Sequence, residues 1–365
     1  MPVSQGVGEK IVSGRLKLTI LLRRFFALLL LLGLTGILAG CGGIKPGNAR
    51  AHVPLKESVV AKLKAMGSSP SEGMLVRIFK ETSELEVWKR TAGGGYKFFQ
   101  TYEICAWSGE LGPKIKEGDR QSPEGFYTVT PGLLNPNSNY YLAFNTGFPN
   151  KYDRAYGRTG SDLMVHGDCS SRGCYSMTDD SIAEIYALIR ESFAGGNDGV
   201  QLQIFPFRMT PQNLAKHASS PHLAFWKDIK EGYDRFELNK TPPAWDVCNK
   251  QYVFDVPRTS VGVLDAVAAC PAGVGETTMT AALQQKQAAD EAAMASEVAM
   301  LAASQAKAAA EAEKAAAEQA ALKARGEAIG SFVGGLFGGG KDAGVQKVIN
   351  PSLKAPVPAP RIKRV

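Results

Sequence analysis

Between Leu75 and Phe205 most apolar residues recur at every second position, the period of a β-strand with one covered face. Leu75-Val-Arg-Ile-Phe-Lys80 and Glu84-Leu-Glu-Val-Trp-Lys89 predict two strands, and Ala92-Gly-Gly-Gly-Tyr96 predicts a turn beyond them. Lys97–Cys105, Gly125–Thr130, Tyr140–Asn145 and Gln201–Phe205 read as four more, the last stopped by Pro206. One stretch changes period. Ile182, Ile185, Ile189 and Phe193 fall near helical spacing, so Ser181–Phe193 predicts an amphipathic helix. A shorter amphipathic piece lies at Val59–Met66. About 140 residues of this kind suffice to bury one core. The expected fold is mainly β with flanking helices, in one domain over residues 72–210.

The flanks follow other rules. Residues 211–275 read as a helical or irregular extension carrying Phe225, Trp226, Tyr233, Phe236 and Trp245. From 276 to 325 the composition turns to alanine, 21 of the 45 residues between Ala281 and Arg325, with neither Gly nor Pro. That predicts a long helix. Its larger apolar residues (Leu283, Met294, Val298, Leu301, Leu322) are too sparse for a heptad seam. A solvated helix and a spacer or partner-binding arm both fit. Gly326–Gly340 predicts the helix end, and residues 326–365 as a whole read as a Gly-rich, then basic and Pro-containing disordered tail.

Residues 1–40 have the form of an export signal: a basic start (Lys10, Arg15, Lys17, Arg23, Arg24), an apolar run from Phe25 to Leu38, then small residues. Leu38-Ala-Gly-Cys41 resembles a bacterial lipobox, which implies that Cys41 is lipidated and holds the protein to outer-membrane lipid. An ordinary cleaved signal, leaving a soluble periplasmic protein, and an uncleaved anchor are the alternatives. Residues 41–71 then form a tether and short helix. The formal charge of +7 falls to about +3 without the first 40 residues, so nucleic acid is not implied. Export permits disulfides, but the pairing of Cys105, Cys169, Cys248 and Cys270 cannot be read from the sequence.

The chemistry concentrates in His166-Gly-Asp-Cys-Ser-Ser-Arg-Gly-Cys-Tyr-Ser176. A thiol is a competent nucleophile only as thiolate, and a nearby imidazole is the usual means of making one. The chain holds only four histidines. His166, Asp168, Cys169 and Cys174 could instead ligate a metal, but zinc sites usually repeat short ligand pairs across a long spacer, and no second pair appears. Neither metal nor cofactor is expected.

About forty residues upstream stands Lys116-Glu-Gly-Asp-Arg-Gln-Ser-Pro-Glu-Gly-Phe-Tyr127. In this order and spacing the two segments resemble the L,D-transpeptidase catalytic domain (YkuD-type), most of all its YafK-like branch. The resemblance covers about residues 72–210 and implies a β-sandwich acting on peptidoglycan stem peptides at diaminopimelate through a thioester. It implies Cys174 as nucleophile and His166 as base and later proton donor. Gly173 and Cys174 supply candidate oxyanion amides, Ser171 a carbonyl or side chain to orient the imidazole, and Gly167 close packing behind it. Arg172, Tyr175, Ser122 and Arg120 are candidate substrate contacts. Within that branch the acceptor could be an amine, or water, with release of wall-linked lipoprotein. A non-catalytic wall-binding domain is the remaining alternative.

Overall fold

The computed structural model describes residues 46–257, 262–274 and 280–336. The expected signal, Cys41 and the tail beyond 336 lie outside the described residues. The chain divides into two compact units, residues 1–49 and 50–365, and apart from α1, which crosses the boundary, the architecture below is that of the second.

In chain order the helices are α1 (Pro46–Ala51), α2 (Glu57–Ala65), α3 (Lys151–Ala155), α4 (Asp179–Ala194), α5 (Pro211–Lys216), α6 (Leu223–Asn239) and α7 (Ala281–Leu336). The strands are β1 (Met74–Phe79), β2 (Glu84–Arg90), β3 (Tyr96–Glu103), β4 (Ala106–Trp107), β5 (Gly125–Val129) and β6 (Leu134–Asn135), then β7 (Ala143–Asn145), β8 (Met164–His166), β9 (Tyr175–Ser176), β10 (Val200–Phe205), β11 (Trp245–Cys248) and β12 (Gln251–Phe254). One sheet has the order β3-β2-β1-β10-β5, with β1 and β10 parallel. The other has the order β4-β9-β8-β7-β6, with β8 and β9 parallel.

Val76, Ile78, Leu85 and Leu202 of the first sheet share one core with Phe144, Val165 and Tyr175 of the second. Ile182, Ile185 and Ile189 of α4 complete it, on the face their spacing predicts. The mainly β fold with flanking helices and a long C-terminal helix is therefore present.

The first sheet is covered on both faces, which the alternating pattern did not anticipate. Phe79, Phe126 and Phe205 on its outer side pack against Trp226, Ile229 and Tyr233 of α6. Every residue of β1 is buried in consequence. Arg77 is tolerated there because its guanidinium pairs with Glu237 at 2.6 Å and lies against the rings of Tyr233 and Phe236. The extension is also not helical throughout. It ends in the β11–β12 hairpin, to which the Cys248–Cys270 disulfide ties the following segment.

The alanine-rich helix runs eleven residues past its expected end. Gly326 and Gly330 lie inside α7, which closes at Leu336. Each costs about 1 kcal/mol against alanine, which a helix already nucleated over eleven turns absorbs. Only its start is docked. Leu283 is buried, Lys230 of α6 pairs with Asp290 at 2.6 Å, and Lys286 reaches Asp234 at 3.3 Å.

Candidate active site

Two neighbouring parallel strands create the site. Val165 stands beside Tyr175 and His166 beside Ser176, with Val165 and Tyr175 both fully buried in the core. Side chains alternate along a strand, so His166 and Cys174 fall together on the opposite face. The register puts Met164 next to Cys174, and the Met164 amide donates to Sγ at 3.4 Å. Sγ in turn donates to the Asp162 carbonyl at 3.6 Å.

The loop between the strands is heavily constrained. Asp168 and Cys169 occupy the left-handed region at φ 70° and 43°. Asp179, at the start of α4, accepts from the Asp168 amide, and Cys169 bonds to Met177 through its amide. The Cys105–Cys169 disulfide fastens the loop to the chain between β3 and β4. Cys169 is therefore unavailable as a metal ligand. Among the described residues no three His, Cys, Asp or Glu side chains are grouped to hold a metal. Among the described residues Cys174 is the free thiol.

The base is set by one backbone carbonyl. His166 Nδ1 lies 2.6 Å from Gly167 O. A carbonyl can only accept, so Nδ1 carries the hydrogen and Nε2 presents its lone pair. Gly167 is confined: a Cβ there would collide with Asp179 Oδ1 and press on the Tyr140 carbonyl. Burial pushes the imidazole below its ordinary 6.5, partly offset by the Gly167 carbonyl and Asp168. Burial also pushes the Cys174 thiol up, against the Met164 amide and the Lys114 charge. Both directions favour a neutral imidazole and a protonated thiol near neutral pH.

Behind the nucleophile, serines close a hydrogen-bonded ring. The Gly173 amide donates to Ser108 Oγ at 2.9 Å, Ser108 Oγ lies 2.9 Å from Ser171 Oγ, and Ser171 Oγ donates to Cys174 O at 2.6 Å. Because Ser171 spends its hydrogen on that carbonyl, Ser108 donates to Ser171. Ser122 Oγ donates to the same carbonyl at 3.1 Å. The segment bearing Ser108 and Ser122 is itself held by Lys80, whose ammonium bonds the carbonyls of Glu110, Gly112 and Ser122 and pairs with buried Glu124 at 2.9 Å.

Four expectations change accordingly. Ser171 orients the nucleophile's backbone rather than the imidazole. The Gly173 amide is occupied by Ser108, which leaves the Cys174 amide as the oxyanion candidate of the two. Gly173 is required instead by its φ of 124°. Tyr175 cannot touch substrate, because its ring is in the core and its hydroxyl donates to Pro123 O at 2.7 Å. Ser122 is likewise sealed from the cleft.

Arg120 and Arg172 are exposed, and the Arg120 backbone lies beside Gly173. Both cations remain accessible.

Sequence reasoning passed over Ser108, Lys114 and Tyr140. Lys114 is buried, bonds Asp119 Oδ1 at 2.5 Å and packs against Gly160 near the nucleophile. Burial pushes the Asp119 carboxyl up, but Lys114 and three backbone amides outweigh it and hold it low. Tyr140 was assigned to a strand that begins only at Ala143. Its alternating pattern pointed to a sheet and concealed its place beside His166.

Residues 74–201 match the family model for the L,D-transpeptidase catalytic domain (YkuD). Over 211 residues, 58% of this chain and 83% of the relative, the sequence is 43% identical to YafK of Escherichia coli (strain K12), an L,D-transpeptidase by name. YafK of Escherichia coli O157:H7 matches equally. The chain belongs to the L,D-transpeptidase family. Among solved structures it is similar to the helical cell shape determining protein Pgp2 from Campylobacter jejuni (22% identity, TM-score 0.28, 40% of this chain and 54% of that one). It is also similar to Bd1075 of Bdellovibrio bacteriovorus (23% identity, TM-score 0.28, 39% and 50%). The chain spans about half the length of those two proteins. The family assignment rests on the sequence matches. The family model ends inside β10, so the helices and hairpin that cover the outer face of the first sheet lie beyond it.

Proposed function

We propose that this L,D-transpeptidase family member is a cysteine acyltransferase acting on peptidoglycan stem peptides at diaminopimelate. The observation that carries the reading is the lock of His166 Nδ1 onto Gly167 O on the same sheet face as the free Cys174 thiol. The reaction starts from the neutral pair. Nε2 takes the Sγ proton as sulfur attacks the carbonyl, and the imidazolium returns it to the departing amine. A thioester at Cys174 remains, which an incoming amine or water resolves. The Cys174 amide stabilises the oxyanion, and Arg120 and Arg172 offer cations to stem-peptide carboxylates.

Two disulfides support an oxidising compartment, in keeping with export and lipidation at Cys41. On this reading the partners are the wall and outer-membrane lipid.

Incubating the purified protein with wall fragments and weighing the products by mass spectrometry tests the activity. New links between diaminopimelate residues, absent with Cys174→Ser, are expected of a transferase. Freed tripeptides, or liberated wall-linked lipoprotein, would assign hydrolysis to the same dyad. No Cys174-dependent change in any fragment would end both readings.

A further inference from the structure

The base of the dyad is only 3% exposed although it lies at a site that must admit substrate. Tyr140 covers it. The tyrosine ring lies over the imidazole with centroids 4.7 Å apart and planes 31° apart. Tyr140 is itself 46% exposed, so core burial does not hold the ring in place. Its backbone does. The Tyr140 carbonyl accepts from the Gly167 amide at 3.0 Å, and Gly167 is the residue whose own carbonyl takes His166 Nδ1. Tyr141 then turns through φ 68° beneath the Arg50 guanidinium, 4.7 Å from its ring. The same short piece of backbone thus fixes the tautomer of the imidazole and the ring that roofs it.

Resting on the acyl-transfer reading above, we propose that Tyr140 is a positioning residue for the base, holding the plane of the His166 imidazole and keeping water from its outer face. The aromatic face performs this task. The Tyr140 hydroxyl has no hydrogen-bond partner among the described residues. A phenyl ring would therefore serve as well, whereas a methyl group would not.

The charged and titratable groups around the imidazole make the consequence directional. Asp168 faces it from its own loop, Asp179 stands behind that loop from α4, Cys174 lies on the adjoining strand, and Tyr140 and Tyr141 close the remaining side. The Gly167 carbonyl and the Asp168 carboxylate favour imidazolium, and burial opposes and outweighs them. Removing the roof admits water and weakens the opposing effect, so the imidazole titrates at higher pH.

The test is an NMR titration of the His166 ring in the full chain, with the resonance assigned by its loss in His166→Gln. It is paired with kcat and KM for acyl transfer. Tyr140→Ala should raise the imidazole pKa toward 6.5 and lower kcat about 10- to 100-fold with little change in KM. Tyr140→Phe should match the parent in both. If Tyr140→Ala does not fold, Tyr140→Leu makes the same comparison with more of the roof retained. An unmoved titration, or a Phe variant as impaired as the Ala variant, overturns the inference. The titration needs no substrate, so the two ideas fail separately. A shifted pKa in a protein that transfers no acyl group would sink only the acyl-transfer reading, and normal turnover with an unmoved titration would sink only the role of Tyr140.

Discussion

The loop from Asp162 to Met177 and the outer part of α7 from Val298 to Val333 satisfy their backbones in opposite ways. In the helix each amide finds its carbonyl four residues away, and every residue whose burial is described there is exposed. The loop must borrow partners: Ser108 and Ser122 from one segment, Tyr140 from another, Asp179 from α4, Cys105 by a covalent bond. A helix of that composition is specified locally. The loop exists only once the rest of the domain has folded around it, and a position fixed from several sides is what acyl transfer requires of a nucleophile and its base.

Removing the chemistry itself should have the largest effect. Cys174→Ala, and separately His166→Gln, should lower acyl transfer at least about a thousandfold while the thermal transition stays near that of the parent. Activity surviving in either variant would show that the loop serves some purpose other than holding this pair.

Next comes the bond that fastens the loop. Cys105→Ser with Cys169→Ser frees a connection spanning 64 residues, and about 4 kcal/mol of stability should go with it in the chain-entropy account. Denaturant unfolding measures this directly. A loss below about 1 kcal/mol would mean the hydrogen bonds alone define the loop.

Ser108→Ala breaks the serine ring at its middle. It leaves the buried Gly173 amide with the longer contact to Ser171 Oγ at 3.4 Å, a cost of about 1–3 kcal/mol. Activity should fall with stability, because the ring fixes the peptide between Gly173 and the nucleophile.

This division also explains what the sequence made legible. The strand period, the α4 stripe and the alanine run depend on residues a few positions apart, and each element appears, although the strand expected from Tyr140 starts at Ala143 and the alanine-rich helix runs on to Leu336. His166 and Cys174 could be paired from the sequence because one short loop joins β8 to the residue just before β9. Tyr175 was misassigned to substrate because proximity in sequence to Cys174 hid the reversal of face at each strand residue. Ser108 lies 63 and 65 residues from Ser171 and Gly173, and Cys105 lies 64 from Cys169, and nothing in a single sequence couples such positions. The outward cover of the first sheet was missed for the same reason, since it is supplied by α6 and the hairpin after the catalytic segment.

Acidity gives a finer test of the two regions. The folded His166 imidazole titrates below its ordinary 6.5, so just under that pH the unfolded chain binds more protons and stability should fall as pH drops. The Cys174 thiol titrates above its ordinary 9.0, so stability should fall again as pH rises past that value. Melting temperatures across this range should flatten on the acid side in His166→Gln and on the alkaline side in Cys174→Ala.

The smallest expected effect is the most direct check on the helix. Ending the chain after Glu297 keeps Leu283, Lys286, Asp290 and Met294, which make the contacts with α5 and α6, and removes the part without them. Helical circular dichroism should drop substantially, while unfolding of the remaining domain changes by less than about 0.5 kcal/mol and the pH slopes persist. The described part of the removed segment, 298–336, carries its own backbone bonds, so its loss strands no polar group on the domain. A destabilisation of several kcal/mol would instead mean that the outer helix is held by the domain after all, and the contrast between a self-sufficient element and a borrowed one would collapse.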